Sequence, residues 1–347
     1  MAYSIRFCGL EEKAQLIRFI QESWESNHIL VSHPEILDWQ YRAINRYNFV
    51  VAHEVGSDRF EGVLGFISPR FFAKNSIESD DDLWLSLWKV EKIPSQPPTL
   101  GMDMLTFLRR EIPARTVSAI GINSEVARLY RALGCSVRTL SQFFIPNYSC
   151  STFRIAQLSA PGKLTMAGHE ADRNQPNAVE LIEVTESSVR RLLDKLPPTS
   201  RNRPEYILAR YGNHPVYVYR FLSVVVSGES KALIVLRKIF VNESSCLRVT
   251  EFVGLEDSEF DLSAPVQKLL QSEGSEYLDL LIGGVDDSSI TALGFVDSTE
   301  ENYVPHLFEP FSRERATVSF AVFDRRELLI LKGDSDLDRP NWMVALG

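Results

Sequence analysis

The spacing of apolar residues along the first half of the chain predicts a mixture of helices and strands. Apolar residues recur at helical intervals over residues 11–24 and again over residues 124–133. Residues 49–55 and 60–67 are apolar runs on either side of Gly-Ser-Asp-Arg, which predicts a β-hairpin. Residues 83–90 form an apolar run of strand length, which indicates a strand that is buried on both faces.

The second half repeats this order of elements more loosely. Strands are predicted over residues 216–226 and 231–241, and a last hairpin is predicted over residues 317–323 and 328–332. A strand over residues 142–145 is predicted to close the first half. The shared order indicates an internal structural duplication, without a strong repeat of individual residues.

A segment without periodic apolar residues separates the two halves. Residues 156–178 contain two prolines and two glycines, a composition that is typical of a connector. We therefore expect a first domain over residues 1–155, a linker over 156–178 and a second domain over 179–347. The expected fold class is α/β, of the α+β kind, in which each domain has a mixed, mostly antiparallel sheet flanked by helices.

Charge and cysteine content narrow the classes of function. The 347 residues carry a formal net charge of −9, which argues against nucleic-acid binding by phosphate neutralisation and against a polybasic membrane anchor. The four cysteines are widely separated, so we expect neither a disulfide framework nor a structural zinc site. We see no signal-peptide pattern and no apolar run of about 18 residues, so we expect a cytoplasmic protein without a membrane partner.

Two segments of the first half have chemistry that suits a binding site. The loop Gln96-Pro-Pro-Thr-Leu-Gly101 lies between a predicted strand and a helix, where free N–H groups and the helix dipole favour a pyrophosphate. In the second segment Asn123 is placed as a helix N-cap, Tyr130 lies two turns further along the same face, and Gly134 is placed as a C-cap. A common Pro-rich loop and a capped amphipathic helix with a core tyrosine would explain the same residues.

Together these segments resemble the GNAT superfamily of acyl-CoA-dependent N-acyltransferases. Gln96 and Gly101 match its pyrophosphate loop, Gln/Arg-x-x-Gly-x-Gly/Ala, and Thr99 stands in place of the first glycine. The matching positions of the later helix and its C-cap are Asn123, Leu129, Tyr130 and Gly134. The order of predicted elements agrees with this superfamily over most of residues 3–146.

The resemblance implies that acetyl-CoA, or another acyl-CoA, is the co-substrate and that no metal takes part. The acyl-CoA would lie beside the strand at 83–90, with its pyrophosphate at the loop 96–101. Tyr130 would protonate the departing thiolate, which suits a phenol with a pKa of about 10, and Asn123 would bind the cofactor or orient its helix. The residues that would contact the cofactor are Trp88, Lys89, Val90, Gln96, Thr99, Leu100, Gly101, Met102 and Asn123.

Three further strings resemble tandem-GNAT proteins of bacterial surface-polysaccharide gene sets. They are Asp38-Trp-Gln-Tyr, Tyr303-Val-Pro-His-Leu-Phe-Glu-Pro and Lys332-Gly-Asp-Ser-Asp-Leu-Asp-Arg-Pro-Asn. This resemblance implies that the acceptor is the amino group of a sugar or a nucleotide sugar. The second half, which lacks the loop and the Asn–Tyr pair, would be a degenerate repeat that completes the acceptor site. The residues expected to bind the acceptor are His33, Asp38, Trp39, Arg248, Asp336, Asp338 and Arg339.

Several of these residues also have ordinary structural explanations. His33 would suit a surface or helix-cap position, Arg248 a strand-edge ion pair, and the acidic run 334–338 a solvated or ion-paired turn. A calcium loop is disfavoured because Arg339 stands where such a loop needs glycine. The alternative functions are a tandem-GNAT aminoacyl or peptidyl transferase, which the acidic charge disfavours, and a non-catalytic binding protein. A homodimer stays open as the assembly.

Overall fold

The computed structural model describes residues 2–72, 81–94, 96–159, 178–196, 203–255, 259–323 and 328–341. Most of the linker expected at 156–178 lies outside these residues. The strands are β1 (Tyr3–Gly9), β2 (Arg46–Glu54), β3 (Gly62–Ile67), β4 (Asp82–Val90), β5 (Thr116–Ile122), β6 (Ser136–Thr139), β7 (Ser141–Pro146), β8 (Gln157–Leu158), β9 (Val179–Glu183), β10 (Arg220–Val226), β11 (Glu229–Val241), β12 (Ser244–Val253), β13 (Tyr277–Gly283), β14 (Val296–Asp297), β15 (Asn302–Tyr303), β16 (Leu307–Phe308), β17 (Phe311–Ser312), β18 (Ser319–Val322) and β19 (Ile330–Leu331).

The helices are α1 (Lys13–Ser23), α2 (Ile29–Ser32), α3 (Pro34–Tyr41), α4 (Pro69–Phe72), α5 (Leu100–Glu111), α6 (Ser124–Ala132), α7 (Glu186–Leu193), α8 (Pro204–Ile207), α9 (Ser263–Glu273) and α10 (Asp287–Ala292). The chain continues from α8 into a π-helical segment, Leu208–Gly212. Among the described residues, no helix is long and apolar enough to cross a membrane.

The two large sheets have the same strand order. The first runs β1-β2-β3-β4-β5-β18-β6, and the second, read in the matching direction, runs β9-β10-β11-β12-β13-β7-β14. In each sheet the fourth and fifth strands pair in parallel, and the other neighbours along these orders are antiparallel. The expected α+β class is therefore confirmed, and the repeated order shows the internal duplication in three dimensions.

The sixth strand of each sheet comes from the other half of the chain. β7, which was predicted to close the first half, instead lies between β13 and β14 of the second sheet. The segments predicted as a last hairpin also separate, because β18 lies in the first sheet while β19 pairs with β13. These two predictions are wrong because an apolar pattern identifies a strand but carries no information about its partner.

Two layers of helices cover the first sheet. On one face α5 contributes an apolar stripe of Leu100, Met104, Leu105 and Leu108, which has the spacing of one side of a helix. On the other face, core residues from α1 and α3 form one continuous cluster with residues of α7 and of the second sheet. The two halves therefore share a hydrophobic core in addition to the exchanged strands.

We expect residues 1–155 expressed alone not to unfold cooperatively. This piece lacks β18, which leaves the facing edges of β5 and β6 unpaired, and its β7 has lost both neighbours. Circular dichroism during heating checks this. As a control, a chain cut after residue 165 with both pieces co-expressed keeps every strand and should unfold cooperatively. A transition of 1–155 at the temperature of the intact protein would contradict the role given to the exchange.

Candidate active site

A cavity of about 810 Å³ opens in the first sheet where β4 and β5 separate. The two strands pair only over Asp82–Leu85 and Thr116–Ala119, and beyond these residues they diverge. Residues 85–88 and Val90 of β4 line one wall, and residues 119–123 line the other. This gap lies beside the strand at 83–90, where the resemblance to GNAT proteins led us to expect the acyl-CoA.

A β-bulge in β4 helps to separate the strands. In the pairing with β3, Leu64 lies opposite Trp88 and Phe66 lies opposite Leu85, so Ser86 and Leu87 together face Gly65. A bulge bends its strand and increases the local twist, which turns the end of β4 away from β5. Gly65 permits this close approach, because a Cβ at that position would lie 2.6 Å from Oγ of Ser86.

One end of the cavity lies at the N-terminus of α5. Gln96, Gly101 and Met102 line it, together with Lys92. The amide N–H groups of Gly101 and Met102 belong to the first turn and find no backbone acceptor in the described residues. Nε2 of Gln96 is buried and also lacks a hydrogen-bond partner there. These donors and the helix dipole make this end suitable for phosphate oxygens.

Three of the residues predicted to contact the cofactor lie outside the cavity wall. Oγ1 of Thr99 donates to Asp103 at 2.9 Å, as part of the first turn of α5. The side chain of Leu100 belongs to the hydrophobic core, and its amide donates to the carbonyl of Pro97 at 3.1 Å. Lys89 points away from the gap and is exposed. For Thr99 and Leu100 the reason is that successive residues of the first helical turn point in different directions, and for Lys89 it is that side chains alternate between the two faces of β4.

Tyr130 of α6 lies in the wall of the cavity. Its ring makes an edge contact with Phe323, with centroids 5.7 Å apart, and its centroid lies 6.2 Å from that of Trp88. Burial raises the pKa of Tyr130 above its usual value, so the phenol is protonated at neutral pH. Asn123 also lines the cavity and caps α6, since its Oδ1 accepts from the amide of Val126 at 2.9 Å.

Another part of the cavity wall is formed by Trp24, His28, Asp336 and Arg339. Nη1 of Arg339 lies 3.2 Å from Oδ2 of Asp336, and Nη2 lies 3.4 Å from Nε2 of His28. Burial and the charge of Arg339 lower the pKa of His28 to about 4, so the imidazole is neutral at pH 7. A carboxylate, a guanidinium and a neutral imidazole therefore meet in this part of the wall.

The carboxylates of the acidic run at residues 334–338 point in different directions. Asp336 faces the cavity, whereas Asp338 is 4% exposed and forms an ion pair with Arg237 while accepting from the hydroxyl of Tyr219. The carboxylate of Asp334 is also buried and accepts from the amide of Leu331. The structure thus brings Asp336 and Arg339 to the cavity and places Asp338 in the core of the second half.

The other residues predicted to bind the acceptor lie away from the cavity. Arg248 is 2% exposed and forms an ion pair with Asp279, and its Nη1 donates to the carbonyl of His306. The remaining three contact partners that do not line the cavity. Asp38 accepts from Lys13 and Tyr47, Trp39 contacts Phe72 and His214, and His33 contacts Glu35.

The equivalent gap of the second sheet is filled by the chain itself. β12 and β13 pair in parallel only over residues 247–249 and 278–280. Beyond this point β19 pairs with β13, and the amide of Gly333 donates to the carbonyl of Thr250 on β12 at 2.8 Å. The segment that closes this gap continues to Asp336 and Arg339. The second half therefore contributes side chains to the first cavity.

Trp24, His28 and Lys92 line the site but were not predicted from the sequence. Trp24 was interpreted as part of the apolar face of α1, but it lies at the end of that helix and is 47% exposed. His28 had no metal-ligand spacing, and its only local signal is that it precedes α2 as an N-cap. The contact of His28 with Arg339 spans more than 300 residues of sequence, and no local pattern records it.

Comparisons with known proteins identify the fold. No family model matches this sequence, and no curated protein matches it either. The structure is similar to a GCN5-related N-acetyltransferase from Anabaena variabilis ATCC 29413, with a TM-score of 0.51 and 10% identity over 92% of this chain and 72% of that one. It is also similar to a probable N-acyltransferase from Enterococcus faecalis V583, with a TM-score of 0.49 and 8% identity over 93% of this chain and 72% of that one.

The first likeness shows that the chain has the fold of GCN5-related N-acetyltransferases over most of its length. At 10% identity this likeness shows a shared fold, but not a shared activity or substrate. The function therefore has to be argued from the cavity between β4 and β5.

Proposed function

We propose that this protein is an N-acyltransferase that transfers an acyl group, in the first instance acetyl, from acyl-CoA to an amine. The observation that carries the proposal is the cavity between the diverging ends of β4 and β5, which has the N-terminus of α5 at one end and Tyr130 in its wall. Phosphate-binding donors and a protonated phenol thus lie along one continuous opening.

The residues at the α5 end fit a CoA pyrophosphate. The amides of Gly101 and Met102 and the buried Nε2 of Gln96 are donors that need acceptors, and Lys92 adds a positive charge. Beyond them the pantetheine would follow the end of β4, where pairing with β5 has ended. The thioester would then lie near Tyr130, with the acceptor entering from the side of Trp24 and Asp336.

The chemistry is a direct attack of the amine on the thioester. The lone pair of the neutral amine forms a C–N bond with the carbonyl carbon, the C–S bond breaks, and Tyr130 protonates the departing thiolate. Among the described residues two carboxylates line the cavity: Glu91 accepts from Ser23 and Arg59, while Asp336 lies beside Arg339. We assign Asp336 to take the proton that the amine loses, either directly or through water.

The acceptor class is proposed from the three strings that begin at Asp38, Tyr303 and Lys332. Their resemblance to proteins of surface-polysaccharide gene sets supports an amino sugar, free or attached to a nucleotide, and a cytoplasmic reaction. The last string contributes Asp336 and Arg339 to the cavity, whereas the first two lie outside its wall.

We expect calorimetric titration with acetyl-CoA to show micromolar binding, lost by more than about 100-fold in Gly101→Trp. A Cβ at Gly101 would lie 3.5 Å from Cγ2 of Val90 and 3.6 Å from the Trp88 ring, so alanine fits while an indole fills the phosphate end. Gly101→Ala is the matched control and should bind within a few-fold of the wild type. Equal binding by all three proteins would place acetyl-CoA elsewhere, and no binding by the folded wild type would exclude it as the donor.

A further inference from the structure

The guanidinium of Arg339 lies in the cavity wall with a donor that the described residues leave without a partner. Its side chain is 10% exposed, Nη1 is ion-paired with Asp336 at 3.2 Å, and Nε makes no hydrogen bond within the described residues. A buried donor has given up water, and leaving it without an acceptor is unfavourable. This arrangement indicates that a ligand supplies the missing acceptor oxygen.

His28 adds a second donor at the same place. Its Nδ1 accepts from the amide of Leu30 at 3.2 Å, so the proton of the neutral ring is assigned to Nε2. Nε2–H therefore faces Nη2 of Arg339, another donor, at 3.4 Å. Two donors that face each other cannot satisfy one another, whereas a single anionic oxygen can accept from both.

Asp336 lies beside this pair of donors and has the opposite charge. Its Oδ2 is 3.2 Å from Nη1 of Arg339, and its Oδ1 accepts from the hydroxyl of Ser335 at 3.3 Å. A cation-binding group and an anion-binding group thus lie next to each other in this part of the wall. A ligand that uses both must carry a positive and a negative group close together.

We propose that the acceptor carries a carboxylate or phosphate group close to the amine that is acylated, and that Arg339 and His28 bind this anion while Asp336 binds the amine. The proposal rests on the proposed N-acyltransferase function and names the class of its acceptor. Arginine is suited to this role because its planar donors match the two oxygens of a carboxylate or phosphate.

The second half of the chain holds these groups in place. The carbonyl of Ser335 accepts from the buried Arg210 at 2.8 Å, and the ion pair between Asp338 and Arg237 holds the chain on the other side of Asp336. Ser335 itself has a φ of 53°, in the left-handed region. Groups that are fixed before the ligand arrives lose little entropy on binding, which favours a specific acceptor.

The test compares three acceptors with acetyl-CoA as donor. Glucosamine has no anion, glucosamine 1-phosphate carries a phosphate on the carbon next to the one that bears the amine, and muramic acid carries a carboxylate in the lactyl group on the neighbouring C3. For the wild type we expect kcat/KM to be at least about 10-fold higher for one of the anionic acceptors, and the better one distinguishes phosphate from carboxylate. In Arg339→Leu this acceptor should lose about 10- to 100-fold in kcat/KM, mainly through KM, because a charged hydrogen bond is removed. Glucosamine should change less than about threefold.

One further variant separates the effect of the positive charge at residue 339 from the effect of the shape of the guanidinium, and a second variant is a control. Arg339→Lys keeps the positive charge but loses Nε, so it should restore part of the preference. Arg191→Leu, at an exposed arginine of α7, is the matched control and should behave as the wild type. Calorimetric titration of Arg339→Leu with acetyl-CoA should match the wild type, which shows that the variant is folded and that its cavity is intact.

Two results would overturn the proposal. One is a wild type that prefers glucosamine or does not discriminate. The other is an equal loss of kcat for all three acceptors in Arg339→Leu, which would assign the guanidinium to the thioester oxygen instead. If the protein is not an N-acyltransferase at all, the result is different, because no acceptor would then be acylated and the wild type would not bind acetyl-CoA. If Arg339→Leu does not fold, the preference of Arg339→Lys decides between these results.

Discussion

We expect Tyr130→Phe to reduce acyl transfer by about 10²- to 10⁴-fold, the usual contribution of a positioned general acid. The phenol lies in the cavity wall between Trp88 and Phe323, and burial raises its pKa, so at neutral pH it carries the proton that a thiolate needs. Release of free CoA, followed with a thiol reagent, measures the rate. The loss should appear in kcat, because the hydroxyl acts only as the C–S bond breaks.

The variant should keep the shape of the cavity. Phenylalanine retains the ring that contacts Trp88 and Phe323, so acetyl-CoA should bind calorimetrically within a few-fold of the wild type. Tyr277→Phe, at a fully buried tyrosine in the second half, is the matched control for removing one phenolic oxygen and should leave the rate unchanged. An unchanged rate in Tyr130→Phe, with binding intact, would make Tyr130 a wall residue and give the proton to another donor.

The parts of the site that could be predicted are those encoded by neighbouring residues. Gln96 and Gly101 precede or begin one helix, and Asn123 and Tyr130 belong to one turn-and-helix segment, so their spacing could be matched to the GNAT pattern, and the structure brings all four to one cavity. Asp336 and Arg339 were predicted from an unusual string, and they also line the cavity. Local spacing could not separate them from Asp338, because the direction of each carboxylate depends on Arg237 and Tyr219, about 100 residues away.

For the fold too, local patterns predicted individual elements but not the contacts between distant parts of the chain. The helices and strands of the first half were predictable because their apolar periods are local. The exchange of β7 and β18 was not, since Phe143, Phe144 and Ile145 would be equally buried in the middle of either sheet. Arg248 was similarly ambiguous: an arginine in an apolar strand can meet a substrate or a buried Asp279, and only the parallel pairing with β13 decides for the second.

We also expect the free energy of unfolding to fall by about 6 kcal/mol between pH 7 and pH 5, or roughly 2 kcal/mol for each of three histidines. Burial lowers the pKa of His28 to about 4 and the pKa values of His214 and His306 to about 3. Geometry supports the first two shifts, because Nδ1 of His28 and Nδ1 of His214 accept from backbone amides and cannot take a proton without losing these bonds.

The sign follows from comparing the folded and unfolded chains. In the unfolded chain a histidine has a pKa of about 6.5 and takes up its proton between pH 7 and pH 5, whereas the folded protein stays neutral there. The unfolded state therefore binds more protons, and stability decreases as the pH falls. The result depends little on the exact folded values, since any pKa well below 5 leaves the ring neutral across this range.

Other titrating groups act largely outside this range. Carboxylates with lowered pKa values, such as Asp338 beside Arg237, lose their contribution only as the pH falls below about 4, where the unfolded carboxylate also takes up a proton. Lys332 has a pKa lowered by burial to about 7, so most of its effect lies between pH 10 and pH 7. The range from pH 7 to pH 5 thus isolates the histidines.

Urea unfolding at several pH values measures how the free energy of unfolding changes with pH. The variant His306→Gln tests whether the histidines cause this change. His306 is 9% exposed, and the positive charges of Lys332 and Arg248 add to its burial in opposing a proton. Replacing it with a group that does not titrate should remove about one third of the pH dependence, whatever it does to stability at pH 7. An unchanged slope would mean that His306 is hydrated or paired in the folded protein. A flat profile for the wild type would mean that the interior around all three rings admits the proton, which burial of the rings and the backbone hydrogen bonds to His28 and His214 oppose.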